Sequence, residues 1–314
     1  MTTIRARILD RLLRVLTARP LDPKIDPRAF RKKFDQIAIR LSGRIKGVEV
    51  EKCDIEGLPG EWLWPKGADH NTGYTGTLLY LHGGGYILGS PDTHRPMVAS
   101  LVRHAKARAL LIDYRLAPEH PFPAGIEDAV KAYKWLLAQG IAPETITVAG
   151  DSAGGGLTLA LLLSLRDAGI PRPAGAALIS PWTDLAMSGW THITHRKRDP
   201  MISLDGALLA ARHYLGSTNP TDPLASPLYG RFDGLPPLFI HVGGNEILLD
   251  DSLRLADRAR TAGVTVEIKV WNGLPHVFQA ASFLPEARQS LKEIAAFLET
   301  RMGANFVPEH TEKP

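Results

Sequence analysis

The sequence predicts an α/β protein with a mainly parallel sheet covered by helices on both sides. From about residue 46 onward, short and nearly continuous apolar runs alternate with longer segments of helical periodicity. Such runs are expected of strands buried on both faces, and their alternation with helices is typical of parallel sheets. The length of 314 residues suits one large domain with an insertion.

Eight segments have the pattern of strands. Segments 47–53 and 60–64 alternate apolar and polar residues, and we expect them to pair as an antiparallel edge. The other six are apolar runs, at 77–81, 109–113, 145–149, 174–179, 237–242 and 264–271. Five helical segments accompany them, at 96–104, 125–138, 153–168, 250–262 and 284–301. The prediction is one twisted, mostly parallel, eight-stranded sheet flanked by helices.

Two segments fall outside this alternation. Residues 1–45 are helical in pattern, and residues 185–217 combine a loop with a helix. Both are predicted to form a helical cap over the carboxyl ends of the strands, where such additions can cover a site. The core then consists of residues 46–184 and 218–302, and residues 303–314 form a loose tail.

The composition excludes several classes of protein. Hydrophobic residues make up 44% and charged residues 22%, as in ordinary globular proteins. No apolar run approaches the roughly 20 residues that span a bilayer, so stable membrane insertion is not expected. The amino terminus lacks the pattern of a signal peptide. No basic cluster is interleaved with aromatic residues, which argues against nucleic-acid binding. The single cysteine, Cys53, excludes an internal disulfide, and a cytoplasmic location is favoured.

The charge is unevenly distributed along the chain. Residues 1–40 contain eleven Lys and Arg against four Asp and Glu, a balance of +7, which leaves −3 of the total of +4 for the remainder. One face of the first helix carries the apolar residues at helical spacing, namely Ile4, Ile8, Leu12, Val15 and Leu16. A basic amphipathic helix can lie on a membrane or an anionic partner. Packing on its own protein is the favoured interpretation, and the membrane remains an alternative.

The candidate nucleophile is Ser152. It is the centre of Gly-Asp-Ser-Ala-Gly at 150–154, which follows an apolar strand and precedes an apolar helix. This G-x-S-x-G pattern is typical of a nucleophile elbow, where small flanking residues let the strand and helix backbones approach closely. A purely structural turn is the alternative. We expect the adjacent Asp151 to hydrogen-bond nearby backbone.

The candidate base is His276, on a Gly/Pro loop between the last predicted strand and the last helix. The chain order Ser, acid, His that accompanies this elbow places the base here. His241 lies within a strand and is predicted to be a core residue. His192 and His195 have no third ligand at metal-site spacing, so no metal site is predicted.

Three carboxylates follow the seventh predicted strand. Asp250 and Asp251 directly precede a helix, and we expect them to cap it or to charge its first turn. Glu246 comes four residues after the strand end and is therefore the predicted triad acid. Asp250 is the alternative.

Three consecutive glycines begin at Gly83, directly after a strand and His82. A phosphate-binding G-x-G-x-x-G loop is excluded, because Leu88 stands where the last glycine would be. We predict instead that the backbone N–H groups of Gly83, Gly84 and Ala153 form an oxyanion hole. His82 is expected to anchor the loop by hydrogen bonds.

Four motifs together resemble the hormone-sensitive lipase family of bacterial carboxylesterases. They are HGGGY at 82–86, DYRLAPEHPFPA at 113–124, GDSAGGGL at 150–157 and SPWTDL at 180–185. The similarity extends over about residues 40–302, and Asp-Pro-Met at 199–201 also resembles a cap-region motif of the family. The resemblance implies an α/β-hydrolase fold, a helical cap, and ester hydrolysis without a cofactor. Aligning 245–252 with the family's D-P-L-x-D pattern also places Glu246 at the catalytic acid.

Two residues depart from the family pattern. Many members have aspartate at the position of Glu246, and many have glycine at the position of Val277. The first departure bears on the identity of the acid.

The resemblance implies a serine carboxylesterase that hydrolyses small-molecule esters with short to medium acyl chains through an acyl-enzyme. The candidate substrate-lining residues are Phe30, Phe34, Tyr86, Trp190 and Met201. An amidase, lactonase or acyltransferase could use the same triad, and a non-catalytic ligand-binding protein on this fold is a further alternative.

A homodimer is also expected. Residues 264–271 should form the last strand of the sheet, and their β-branched side chains favour pairing across an exposed edge. The alternative is an edge protected by Lys269.

Overall fold

Eight strands form the sheet of this protein. The computed structural model describes residues 2–16, 26–42, 45–68 and 74–303. The strands are β1 (Val48–Ile55), β2 (Leu58–Pro65), β3 (Thr77–Leu81), β4 (Arg108–Ile112), β5 (Ile146–Asp151), β6 (Gly175–Ile179), β7 (Leu238–Gly243) and β8 (Val266–Trp271). Each corresponds to a predicted strand.

The strands form a single sheet in the order β1-β2-β4-β3-β5-β6-β7-β8. β2 pairs antiparallel with both β1 and β4, and all the remaining pairs are parallel. The predicted antiparallel edge and the mostly parallel sheet are confirmed. β1 and β8 are the two edge strands.

Nine α-helices surround the sheet in the described part of the chain. They are α1 (Ile4–Leu16), α2 (Pro27–Ser42), α3 (Pro91–Ala105), α4 (Ala124–Ala138), α5 (Ala153–Asp167), α6 (Thr191–Thr194), α7 (Leu204–Leu215), α8 (Leu249–Thr261) and α9 (Pro285–Gly303). None of them combines the length and apolarity needed to cross a bilayer.

α3 begins at Pro91, five residues before the predicted start at residue 96. Pro96, the first residue of the predicted range, lies inside the helix. In the structure Ser90 precedes the helix, and its N–H donates to the hydroxyl of Thr93 at 3.0 Å. This local bond and Pro91 start the helix earlier.

Side chains on β3 alternate between two hydrophobic clusters. Leu79 and Leu81 belong to a cluster that includes residues of α4 and α5. Leu78 and Tyr80 point the other way, into a cluster with residues of α3 and α9. Both faces of the strand are therefore buried, which explains why its sequence is continuously apolar.

α7 lies in the predicted cap insertion and packs on the core through aromatic side chains. Tyr214 of α7 stacks on Tyr86, with ring centroids 3.8 Å apart. α1 packs on the core separately, through the buried Ala6. The predicted domain boundaries remain a prediction, and of the predicted tail only Gly303 is among the described residues.

Candidate active site

Ser152 occupies a sharp turn between β5 and α5. Its backbone has φ of 53° and ψ of −123°, in the left-handed half of conformational space that non-glycine residues rarely adopt. Its N–H donates to the carbonyl of Ile179 at 2.8 Å, which ties the turn to the end of the neighbouring strand β6. Surrounding structure thus holds a strained residue in place, as is typical of nucleophile elbows.

The glycines around Ser152 are required by close backbone contacts. A Cβ at Gly150 would overlap the carbonyl of Gly154. A Cβ at Gly154 would overlap the carbonyl oxygens of Leu81 and His82. The predicted need for small residues on both sides of the serine is confirmed.

Glu246 and His276 form a buried pair at the carboxyl end of the sheet. The Nδ1 atom of His276 lies 2.6 Å from Oε2 of Glu246. The other carboxylate oxygen, Oε1, accepts hydrogen bonds from the N–H of Gly243 at 2.5 Å and from the hydroxyl of Ser180 at 2.8 Å. The carboxylate is therefore fixed in orientation, and a bond at Nδ1 leaves Nε2 of His276 free to act as a base.

Glu246 also changes the acidity of His276. Burial disfavours the charged imidazolium, but the negative charge of Glu246 and its hydrogen bond outweigh burial and raise the pKa of His276 above its ordinary value. Asp199 and Asp151 act in the same direction. The ring is accordingly suited to accept a proton during a reaction.

Asp250 and Asp251 bind backbone groups, but not those of their own helix. Asp250 accepts hydrogen bonds from the N–H groups of Trp190 and Thr191, at the start of α6. Asp251 accepts from the N–H groups of Thr183 and Asp184. Both aspartates lie in the first turn of α8, as one of the two expectations stated. The other expectation, that they cap α8, is wrong, because both side chains face other loops.

Ser180 connects Glu246, the residue that follows His276 and the end of β6, and the sequence had suggested no role for it. The hydroxyl of Ser180 donates to Glu246. The hydroxyl oxygen of Ser180 in turn accepts from the N–H of Val277 at 3.3 Å. The only signal in the sequence was its place as the first residue of the SPWTDL segment.

Asp199 is a second residue without a predicted role. It is buried, and its Oδ1 accepts from the N–H groups of Met201 and Ile202, whereas Oδ2 accepts from the N–H of Ile247 at 2.8 Å. Burial raises its pKa, and the charge of His276 acts in the opposite direction. A carboxylate of the predicted cap insertion thus holds the loop directly after Glu246.

The oxyanion-hole prediction requires one correction. The N–H of Gly83 donates to Oδ1 of Asp151 at 3.2 Å, and a Cβ at Gly83 would overlap the same carboxylate. Gly83 is therefore removed from the predicted donors. No described residue accepts a hydrogen bond from the N–H groups of Gly84, Gly85 or Ala153.

Asp151 holds the glycine loop, residues 83–85, through the hydrogen bond to Gly83. Its carboxylate also accepts from the hydroxyl of Tyr80 at 2.8 Å and lies 3.3 Å from Nε2 of His94. Although burial disfavours its charged form, the charge and hydrogen bond of His94 hold the pKa of Asp151 below its ordinary value. Asp151 binds the glycine loop, 68 residues away in the chain, rather than local backbone.

Two histidines have the structural roles that we predicted. His82 is buried, with Nδ1 2.8 Å from the carbonyl of Gly83, and burial lowers its pKa to about 3. His241 is buried in β7, where Nδ1 lies 2.8 Å from the hydroxyl of Ser290 and burial lowers its pKa to about 4. His192 pairs with Asp251, with Nε2 3.0 Å from the carboxylate.

Val277 follows the candidate base in a left-handed conformation, with φ of 45°. Glycine adopts this conformation without strain, whereas a β-branched residue does not. The departure from the family pattern at this position therefore places a strained residue next to His276.

Three of the five candidate substrate-lining residues have described side chains, and these three differ in burial. Tyr86 is buried between Tyr214 and Trp182, so its ring has almost no surface to offer a substrate. Trp190 is 73% exposed and Met201 is 42% exposed. The side chains of Phe30 and Phe34 lie outside the described residues.

Comparison with known proteins gives consistent matches. The family model of the α/β-hydrolase fold matches residues 78–280. An acetyl-hydrolase of Streptomyces hygroscopicus is 46% identical over 77% of this chain and 80% of its own. An esterase of Acinetobacter venetianus is 36% identical over 91% of this chain and 93% of its own. The crystal structure of an esterase from the bacterial hormone-sensitive lipase family superimposes with a TM-score of 0.89 at 40% identity, covering 96% of this chain and all of that one.

Proposed function

The chain belongs to the bacterial hormone-sensitive lipase family of the α/β-hydrolase fold, and on this basis we propose that it is a serine carboxylesterase. The observation that carries the mechanism is the 2.6 Å contact between His276 and Glu246, on the loops that follow β8 and β7. Parallel strands end on the same side of the sheet, so this pair and Ser152, which follows β5, share one edge.

The first half of the proposed reaction forms an acyl-enzyme. The hydroxyl oxygen of Ser152 attacks the ester carbonyl, and its proton passes to Nε2 of His276. Glu246 stabilises the resulting imidazolium through Nδ1. His276 then donates the proton to the leaving alcohol, and the C–O bond of the ester breaks.

The negative charge that develops on the carbonyl oxygen needs hydrogen-bond donors. We assign this role to the N–H groups of Gly84, Gly85 and Ala153, since they lack acceptors among the described residues. Loss of one such donor typically lowers kcat by roughly 10²–10³. In the second half of the reaction, water attacks the acyl-enzyme with His276 as base, releasing the acid and restoring Ser152.

Substitution of Ser152 tests the proposal. We expect Ser152→Ala to lower kcat for p-nitrophenyl butyrate by roughly 10⁶, because comparable serine substitutions remove the nucleophile outright. Ser164→Ala is the matched control, since it lies on the same helix, α5, outside the site. If folded Ser152→Ala kept more than a few per cent of wild-type activity, the mechanism would be wrong.

We also propose a preference for short and medium acyl chains over long-chain triglycerides. The support is the cap helix α7, which packs on the Tyr86 loop through the stacked rings of Tyr86 and Tyr214 and restricts the space beside the glycine loop. Turnover of p-nitrophenyl butyrate should exceed that of emulsified triolein. Faster turnover of triolein would contradict this preference.

Two further proposals concern assembly and location. A homodimer would form by pairing of β8, which is an edge strand of the sheet. A cytoplasmic location is supported by the cysteine content, because Cys53 is the only cysteine and an internal disulfide cannot form. Fractionation of the source cells would test the location, and a periplasmic or secreted protein would contradict it.

A further inference from the structure

α1 has apolar residues on two opposite faces, and only one of them packs against residues that the structure describes. Ala6 and Leu9 contact a buried cluster that contains Leu274 and Phe278, on the loop of His276. At 3.6 residues per turn, a second group lies on the opposite side of the helix. This group, the α1 outer stripe, consists of Ile4, Ile8, Leu12 and Val15, which are 75%, 53%, 56% and 76% exposed.

Folding does not account for the α1 outer stripe. Single exposed apolar residues are common on protein surfaces, but four along one face of a helix form a contiguous patch. The inner face already attaches the helix, and polar bonds hold both of its ends. The N–H of Thr3 donates to Glu286 at 2.8 Å. Arg14 donates to the carbonyls of Lys197 and Arg198.

Arginines flank the α1 outer stripe. At helical spacing Arg5 lies on one side of it, and Arg7 and Arg11 lie on the other, all three exposed. None of the three forms an ion pair with a described carboxylate. Arg14 differs, because it pairs with Asp10 at 2.8 Å.

The surface next to α1 is also cationic and also exposes apolar side chains. The cap segment held by Arg14 contains three consecutive cations at 196–198. It also presents Trp190 and Ile193, which are 73% and 64% exposed. Residues 1–40 carry a balance of +7, whereas the other residues carry −3. Exposed apolar side chains with a cationic rim are the chemistry by which interfacial helices bind anionic bilayers, where tryptophan is also favoured.

We propose that the α1 outer stripe docks on an anionic lipid surface. The apolar side chains enter between the headgroups, and Arg5, Arg7 and Arg11 bind lipid phosphates. A second copy of the chain fits the stripe less well, because two-fold pairing of α1 would bring both cationic rims together. The docking is reversible and peripheral, and it does not depend on the proposed esterase activity.

Sedimentation of the full chain with lipid vesicles tests the proposal. We expect at least about tenfold stronger partition onto vesicles of phosphatidylcholine mixed with phosphatidylglycerol than onto pure phosphatidylcholine. The partition should weaken as salt is raised, since the screening length falls from about 10 Å at 0.1 M to about 3 Å at 1 M.

Variants distinguish vesicle binding through the α1 outer stripe from nonspecific adsorption. The double change Ile8→Gln with Leu12→Gln should lower the partition about tenfold or more. Glutamine is chosen because it is compatible with a helix. The matched control is Leu208→Gln with Leu253→Gln, two exposed leucines on α7 and α8, and it should bind as the wild type does. Retained turnover of soluble p-nitrophenyl butyrate would show that the Ile8/Leu12 variant is folded.

A second variant keeps the test decisive if the first fails to fold. Arg7→Gln with Arg11→Gln leaves the apolar stripe intact and should weaken binding only to the anionic vesicles. Equal binding of the wild type to both vesicle types, or no binding to either, would overturn the proposal. A dimer that dissociates in the Ile8/Leu12 variant, without vesicle binding by the wild type, would assign the stripe to a second copy.

Discussion

The imidazole of His276 and the carboxylate of Glu246 are joined at 2.6 Å, and both side chains are buried. This contact distinguishes Glu246 from the two aspartates that follow it in the chain. Asp250 and Asp251 are occupied by backbone N–H groups of other loops. The other oxygen of Asp251 lies 3.0 Å from Nε2 of His192 in α6, whereas the free oxygen of Glu246 meets His276, the predicted base.

The first prediction separates these carboxylates by isosteric changes. Glu246→Gln should lower kcat by roughly 10³–10⁴, because the amide N–H₂ would face Nδ1 and favour the tautomer that is protonated at Nε2. Asp250→Asn should leave kcat within about threefold and lower the free energy of unfolding by about 1 kcal/mol, by weakening the bonds to the start of α6. Steady-state kinetics and thermal melts of both variants check this. The reverse pattern would assign the acid role to Asp250.

The second prediction concerns pH. His276 acts only when neutral, so kcat/KM should fall as the pH falls through its pKa. Glu246 raises the pKa of His276, so the midpoint of this loss should lie above the ordinary value of about 6.5. In Glu246→Gln, burial would act without the compensating charge, and the midpoint of the residual activity should move to lower pH. A pH–rate profile with an unchanged midpoint in that variant would contradict the assignment.

The third prediction concerns Asp199 as a positioning residue. In Asp199→Asn the amide N–H₂ can face the N–H of Ile247, which would leave a buried donor without an acceptor and cost about 1–3 kcal/mol. The loop after Glu246 should then shift, and kcat should fall about tenfold or more. Because the negative charge is lost, the pKa of His276 should also fall, and the acidic midpoint should move to lower pH.

Asp205→Asn is the matched control for this change, since Asp205 lies on the exposed start of α7 and forms a surface ion pair with Arg196. Its kinetics and pH profile should match those of the wild type. If Asp199→Asn lost stability but kept the acidic midpoint of the wild-type pH–rate profile, Asp199 would have a purely structural role.

The fourth prediction concerns assembly. Light scattering at micromolar concentration should give the mass of two 34.3 kDa chains. Val270→Lys on β8 should yield the monomer, because a further lysine on an edge strand opposes pairing with another strand. Val50→Lys is the control on β1, the opposite edge of the sheet, and should remain a dimer. A wild-type monomer would rule out the homodimer.

Local patterns in the sequence determined the fold and pointed to two candidate site residues. The strand-turn-helix context of Ser152 spans only a few residues, and its glycines are dictated by backbone contacts within the turn and with the adjacent β3 strand. The apolar runs revealed the buried strands, because both faces of the sheet are covered. His276 followed from its position between the last strand and the last helix.

The tertiary structure decided which polar groups meet. Asp151 accepts a hydrogen bond from the N–H of Gly83, 68 residues away, and this N–H is therefore left out of the proposed oxyanion hole. Asp199 binds Ile247, 48 residues away, and connects the cap segment to the loop of the acid. Neither partner can be read from the chain, because each contact depends on how loops from different strand ends pack against one another. Hydrogen bonds between distant loops leave no periodic pattern in the sequence, whereas burial of helices and strands does.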